Sequence, residues 1–199
     1  MKKLIVIIML ALTSSTLLAQ ASWSEADRKY LLDNLARSRD ELMTETLGLS
    51  KEQWSFKESS DRWSINELVE HIARWEMLFD FEISKALSAG KQPERMKNAK
   101  ADSTFFNFIM EQKKHYSLDY TKPFSFTIPM GLNDPKSNEA WFLKMRNESE
   151  EYVKSTQDDL RAYFNSYGSI HQIYIYVFGH TDRHIRQIKK VKQHPKYPK

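Results

Sequence analysis

Two histidines four residues apart, His180 and His184, are the side chains in this sequence best spaced to do chemistry. They fall in GSIHQIYIYVFGHTDRHIRQIKKVKQH, residues 168 to 194, where Ile173, Val177, His180, His184, Ile188 and Val191 recur every three or four positions. That period puts all six on one face of a helix. Side chains at i and i+4 stack one above the other, so both imidazoles can reach a single metal ion. The plainer reading is a pair of satisfied core histidines, and the spacing by itself does not choose between them. Gly179, just before His180, suggests that another backbone or a ligand comes close. In a zincin protease, His-Glu-x-x-His supplies a general base at its second position. Here that position is Thr181, so a metalloprotease is not expected.

A third imidazole comes from an earlier helix. Ser64-Ile65-Asn66-Glu67 reads as a capping box, with Trp63 before it and Leu68 after it forming a hydrophobic staple. The helix it starts carries Leu68, Ile72, Trp75, Phe79 and Ile83 inward, and His71 borders that stripe. Glu67, one turn from His71, invites reading as a catalytic acid, but the cap accounts for it without chemistry. His71 with the His180/His184 pair would give three neutral ligands and leave a coordination position for water or substrate, the arrangement of catalytic zinc. Asp182, two residues from each histidine of the pair, is expected to face solvent. Gln187, one turn beyond His184, is better placed to orient a ligand or a water.

Positioning these groups requires a domain. Residues 1 to 21, MKKLIVIIMLALTSSTLLAQA, have a basic start at Lys2 and Lys3 and a nine-residue apolar run from Leu4 to Leu12. They end on Ala19-Gln20-Ala21, the pattern of a cleavable signal peptide. Cleavage after Ala19 is an alternative, as is an uncleaved anchor, although the run is well short of the ~20 residues that span a bilayer. Export to the periplasm or the medium is therefore expected, with no stable membrane anchor after cleavage. Residues 22 to 199 then make one domain. Without Lys2 and Lys3 it holds 28 basic and 26 acidic residues, too balanced to point to nucleic acid. Cysteine is absent, which rules out disulfides, a cysteine-linked lipid and any thiolate ligand. Five tryptophans supply core bulk, and only five glycines argue against a turn-rich β architecture.

The remaining elements read as helices. Ser22 to Leu49 is one, with Ser24 as N-cap and Leu31, Leu35 and Leu42 inward. Residues 50 to 63 read as a connector. Residues 88 to 134 are the least regular: a short helix over Asp102 to Lys114, an extended run from Lys122 to Pro129, and His115 and Tyr116 without an identifiable partner. A connection this long often covers a site. A third long helix spans Ser137 to Phe164, with Arg146 near its inner side, paired with Glu148 to Glu151 or with a neighbouring helix. The whole is all-α: a four-helix bundle with a long crossover between its second and third helices.

The segments Trp63-Ser64-x-x-Glu67-x-x-x-His71 and His180-x-x-Arg183-His184-x-x-Gln187-Ile188 resemble the two signature helices of the DinB/YfiT-like family. The likeness runs along nearly the whole mature chain and is weakest at residues 91 to 134. It implies a four-helix bundle with a three-histidine divalent metal site, its ligands falling on His71, His180 and His184. The expected ion is Zn²⁺, with Ni²⁺ or Fe²⁺ as alternatives. Members of that family include thiol transferases and proteins linked to hydrolysis. Export away from the reducing cytosol argues against thiol transfer here. The expectation is a metal-dependent hydrolase or transferase acting on a small molecule, and the alternative is a non-catalytic metal- or ligand-binding module. A homodimer is left open.

Overall fold

The computed structural model describes residues 23–111 and 125–199. The proposed signal segment, His115, Tyr116 and Lys122 lie outside the described residues. Among the described residues six α-helices follow in order: α1 (Glu25–Thr46), α2 (Lys51–Ser55), α3 (Ile65–Ser88), α4 (Asp102–Met110), α5 (Pro135–Ser155) and α6 (Ile170–Lys192). The four long ones, α1, α3, α5 and α6, form the bundle. α3 packs against α5 and α6, α1 packs against the same two, and α4 lies along α6. Among the described residues the only β pairing is two isolated bridges, Lys91 with Tyr163 and Phe164 with Ser169.

Helix starts follow the sequence closely. Ser24 and Ser64 each close a capping box, with Asp27 and Glu67 in return, and Ser169 does the same with Gln172 at the head of α6. For Ser64 the reciprocal bonds are Glu67 N–H to Ser64 Oγ at 3.2 Å and Ser64 N–H to Glu67 Oε2 at 2.8 Å. Each box satisfies two backbone donors that the first turn would otherwise leave unpaired.

Helix ends and connections depart from expectation in three places. The connector after α1 contains α2, capped by Ser50 and Gln53, which buries Trp54. The segment expected to run extended from Lys122 to Pro129 makes a 3₁₀ turn over Ser125–Thr127. The third long helix stops at Ser155, not Phe164. Its end lies where Thr156 Oγ1 accepts the Asp158 N–H at 3.1 Å and Asp159 Oδ1 accepts the Arg161 N–H at 3.0 Å. Such local side-chain bonds offer the backbone an alternative to the helix. Leu160 and Phe164 are buried all the same, carried by the irregular strap that leads into α6.

The core falls into two apolar clusters. Leu31, Leu35, Trp75, Phe79, Ile173 and Phe178 belong to one, and Leu42, Leu68, Ile72, Phe142, Ile185 and Ile188 to the other. Between them lies a polar layer to which every bundle helix contributes. Arg146 of α5 is wholly buried and pairs with Glu76 of α3. It also donates to Leu35 O and Ser38 Oγ of α1, each at 2.7 Å, and to Thr181 Oγ1 of α6 at 2.9 Å. The sequence left the partner of Arg146 open; it is a neighbouring helix. Thr181, at the position of the zincin glutamate, belongs to this layer and also donates to Val177 O at 3.1 Å. The candidate site sits in the same register.

Candidate metal centre

His180 and His184 lie one turn apart on α6, and His71 meets them from α3. All three are buried, and their candidate donor atoms lie within 4.8 Å of one another. Ring centroids are 4.4 Å apart for His180 and His184, 4.8 Å for His71 and His184, and 5.2 Å for His71 and His180. The two α6 histidines bring their Nε2 atoms to 3.0 Å.

Two of the rings are fixed from behind. His71 Nδ1 lies 2.7 Å from Thr127 O, an acceptor, so this nitrogen carries the proton and Nε2 the lone pair. His184 Nδ1 lies 3.1 Å from Gln187 Oε1, which selects the same tautomer. A second bond that fixes ring orientation and tautomer is the usual companion of a metal-ligating histidine. Zinc–nitrogen bonds of about 2.0–2.1 Å at tetrahedral angles require ligand nitrogens about 3.3 Å apart. The 3.0 Å between the α6 Nε2 atoms lies just under that value and all the donors lie within 4.8 Å, a set suited to one small divalent ion.

The crossover supplies the bond to His71, and α3 holds the crossover. Glu70, fully buried, accepts the Met130 N–H and the Gly131 N–H, both at 2.9 Å, and pairs with Arg74 at 2.7 Å. Arg74 in turn donates to Phe126 O at 3.3 Å. Gly131 takes the turn with φ of +66°, a conformation that favours glycine. On the opposite flank, α4 seats itself against Gly179, where an added Cβ would lie 3.2 Å from Ile109 Cγ2. What comes close at Gly179 is the side chains of Ile109 and Phe106 on α4, not the backbone or ligand expected.

Burial sets the protonation of the site. It lowers His71 to about 4, with Arg183 and Arg74 adding to the effect and Thr127 O opposing it. His180 and His184 are pushed well below the usual imidazole range, first by burial, then by neighbouring imidazole and by Arg183. All three are therefore neutral near pH 7, the form that binds metal. Aromatic rings close the surroundings: Trp63 lies 4.6 Å from His71, Trp75 5.0 Å from His180 and Tyr176 6.1 Å from His180.

The other described histidines go elsewhere. His171 Nδ1 accepts from Trp23 Nε1 at 3.1 Å, and its Nε2 faces Asp102 at 3.2 Å, while His194 packs on Phe56. Glu67 caps α3, as the capping-box reading expected, and accepts from Lys57 Nζ at 2.7 Å. Asp182 does not face solvent as expected: it is buried and holds Arg37 through both oxygens, at 2.9 and 2.7 Å. The packing of α1 against α6 brings that guanidinium over it. Sequence reasoning missed Thr127 and Glu70. Thr127 acts through its backbone, which no residue type announces, and Glu70 is marked only by a Glu-x-x-x-Arg spacing common on helix surfaces.

Comparison with curated proteins gives no match. Among solved structures, YfiT from Bacillus subtilis, described as a probable metal-dependent hydrolase with an unusual four-helix bundle topology, has the same fold. It superposes with a TM-score of 0.51 at 11% identity, covering 85% of this chain and 88% of YfiT. The sequence model of the DinB superfamily matches residues 34–188, a span that runs from within α1 into the last turns of α6 and includes all three converging imidazoles. With the bundle, the long crossover and that match in agreement, the chain belongs to the DinB superfamily.

Proposed function

We propose that His71, His180 and His184 hold one divalent metal ion, and that the protein uses it as a hydrolase or transferase acting on a small molecule. The observation that carries this reading is the convergence of three buried, neutral imidazoles, two with Nδ1 already engaged so that Nε2 faces the centre. Zn²⁺ is the ion expected first, and Ni²⁺ or Fe²⁺ suits three imidazoles as well. When bound, such an ion supplies Lewis acidity, polarising a carbonyl and bringing the pKa of water toward neutrality. The chain's own work is positional. Thr127 O and Gln187 Oε1 hold two rings in register, burial keeps their lone pairs free of protons, and Trp63, Trp75 and Tyr176 restrict solvent. The description of YfiT as a probable metal-dependent hydrolase favours hydrolysis over transfer.

A specific observation supports a second reading, a metal- or ligand-binding module without turnover. The carboxylates nearest in sequence to the three imidazoles are engaged: Glu67 in its cap, Glu70 with the crossover and Asp182 with Arg37. None stands ready as a general base. Elemental analysis of protein prepared without chelator should find about one divalent ion per chain, and changing His71, His180 or His184 singly to Ala should weaken uptake strongly. The same change at His171 or His194 should not. Protein that fails to take up any ion on titration, with the three histidines intact, would sink the enzyme reading and the metal-binding form of the module. Metal without turnover of ester, amide or thiol substrates would favour the module. Export remains part of the proposal on the strength of residues 1 to 21. Intact-mass measurement of the secreted or periplasmic protein should show them missing, and a full-length mass in the membrane fraction would count against it.

A further inference from the structure

On the side of α6 next to the histidine pair, Arg183, Arg186 and Lys190 follow at intervals of three and four and line a pocket of about 190 Å³ with Arg62 and Gln187. Glu58 and Glu111 complete the wall, leaving a surplus of two positive charges. Neighbouring basic residues of α6 are neutralised, Lys189 by Glu41 and Lys192 by Glu45. Arg62, Arg186 and Lys190 make no ion pair among the described residues. Arg186 donates through Nη2 to Met110 O at 3.1 Å, yet its Nε–H is buried without an acceptor. The helix dipole accounts for a lysine in the last turn of α6 but not for Arg183 and Arg186 farther in. Like charges at helical spacing repel, and one oxyanion in the pocket relieves that repulsion.

Gln187 ties this pocket to the candidate centre, since it lines the wall while its Oε1 accepts from His184 Nδ1. Arg183 acts electrostatically on all three imidazoles. We propose that the pocket is an anion subsite: it receives a carboxylate or phosphate group of the substrate and so holds the rest of that molecule beside His71, His180 and His184. The second half of this statement rests on the metal-dependent reading given above; anion binding itself does not. Guanidinium groups suit the purpose because their planar N–H pairs match carboxylate and phosphate oxygens. The substrate class is then a small organic anion, and a neutral ester or amide of the same size would bind less well.

The test uses inorganic phosphate and succinate as probes, titrated calorimetrically into full-length mature protein before and after metal removal. Binding of either probe to the stripped protein is expected. It should weaken about tenfold in the Arg62→Gln/Lys190→Gln double variant, in which two exposed cations of the wall are lost. Unchanged thermal melting and unchanged metal uptake in that variant keep folding and the metal centre out of the result. Phosphate tighter than succinate would identify a phosphoryl group, and the reverse a carboxylate. Binding that vanishes with the metal and ignores both substitutions would place the anion on the ion and overturn the subsite, as would no binding of either probe. Loss of metal uptake on His71→Ala is scored separately, so failure of the metal reading cannot be mistaken for failure of the pocket.

Discussion

Replacing Arg146 by Met should reveal how the polar layer is held. The change keeps the length of the side chain and removes its five hydrogen bonds, to Glu76 twice, Leu35 O, Ser38 Oγ and Thr181 Oγ1. Glu76 then stays buried with no cation beside it. Burial pushes its carboxyl upward, and Arg146 opposes that push in part. Losing one partner of a buried pair costs about 3–5 kcal/mol. A second route gives a bound on the same quantity. The stranded carboxyl can escape by taking up a proton, which at pH 7 costs up to about 4 kcal/mol, from ~1.36 kcal/mol for each unit above an unfolded pKa of ~4.3. The two figures agree, and the second carries a sign. A folded-state pKa above the unfolded one means that the native state binds more protons, so stability is full below ~4.3 and falls as pH rises. The gap between variant and wild type should therefore shrink from roughly 4 kcal/mol at pH 7 toward the cost of the other bonds near pH 4.5. Urea denaturation at pH 7, 6 and 5, with chelator present throughout, measures it. Adding Glu76→Gln should remove the pH dependence and recover much of the loss, because a buried ion pair can be replaced at little net cost. A loss below about 1 kcal/mol, or a gap that does not change with pH, would refute the assignment of Arg146–Glu76 as the charge pair of the core.

Three further outcomes follow from the site. Lowering of His71 from 6.5 to about 4 means that the unfolded state binds more protons in that window, so His71 alone should cost metal-free protein about 3 kcal/mol as pH falls from 6.5 to 4, with His180 and His184 acting in the same direction, and His71→Gln should reduce the slope in equilibrium denaturation. Glu70→Ala frees the Met130 and Gly131 N–H groups and loosens the turn that carries Thr127 O; it should cost about 2 kcal/mol. It should also weaken metal binding about tenfold by competition with a chromogenic chelator, although it touches no ligand directly. Gly179→Val should push Ile109 and Phe106 away and cost about 1–3 kcal/mol, with faster proteolysis near α4 than in wild type.

The sequence by itself determined the four long helices, the N-caps Ser24 and Ser64 of the first two and the identity of the three converging histidines. These are local or periodic properties. A capping box is written within four residues, and the stripe from Ile173 to Val191 fixes which side of α6 faces inward before any partner is known. The cysteine count also decided in advance that a metal site here would use imidazole and oxygen ligands. Tertiary structure alone decided what surrounds the histidines. Only the packed bundle brings α3 against α6 so that His71 closes on the pair, and only the crossover places Thr127 O behind its ring. It turned Asp182 from an expected surface group into a buried partner of Arg37, gave Arg146 its place between four helices, and gathered Arg62 from the connector with Arg183, Arg186 and Lys190. The physical reason is common to all of these: a helix period states which residues share a face, whereas charge partners and backbone acceptors come from segments as far as 148 residues away, as in Lys189 with Glu41. No local pattern encodes such a pairing. The end of α5 at Ser155 is the intermediate case, since its Thr and Asp residues are legible in sequence but the bonds they make there had to be seen.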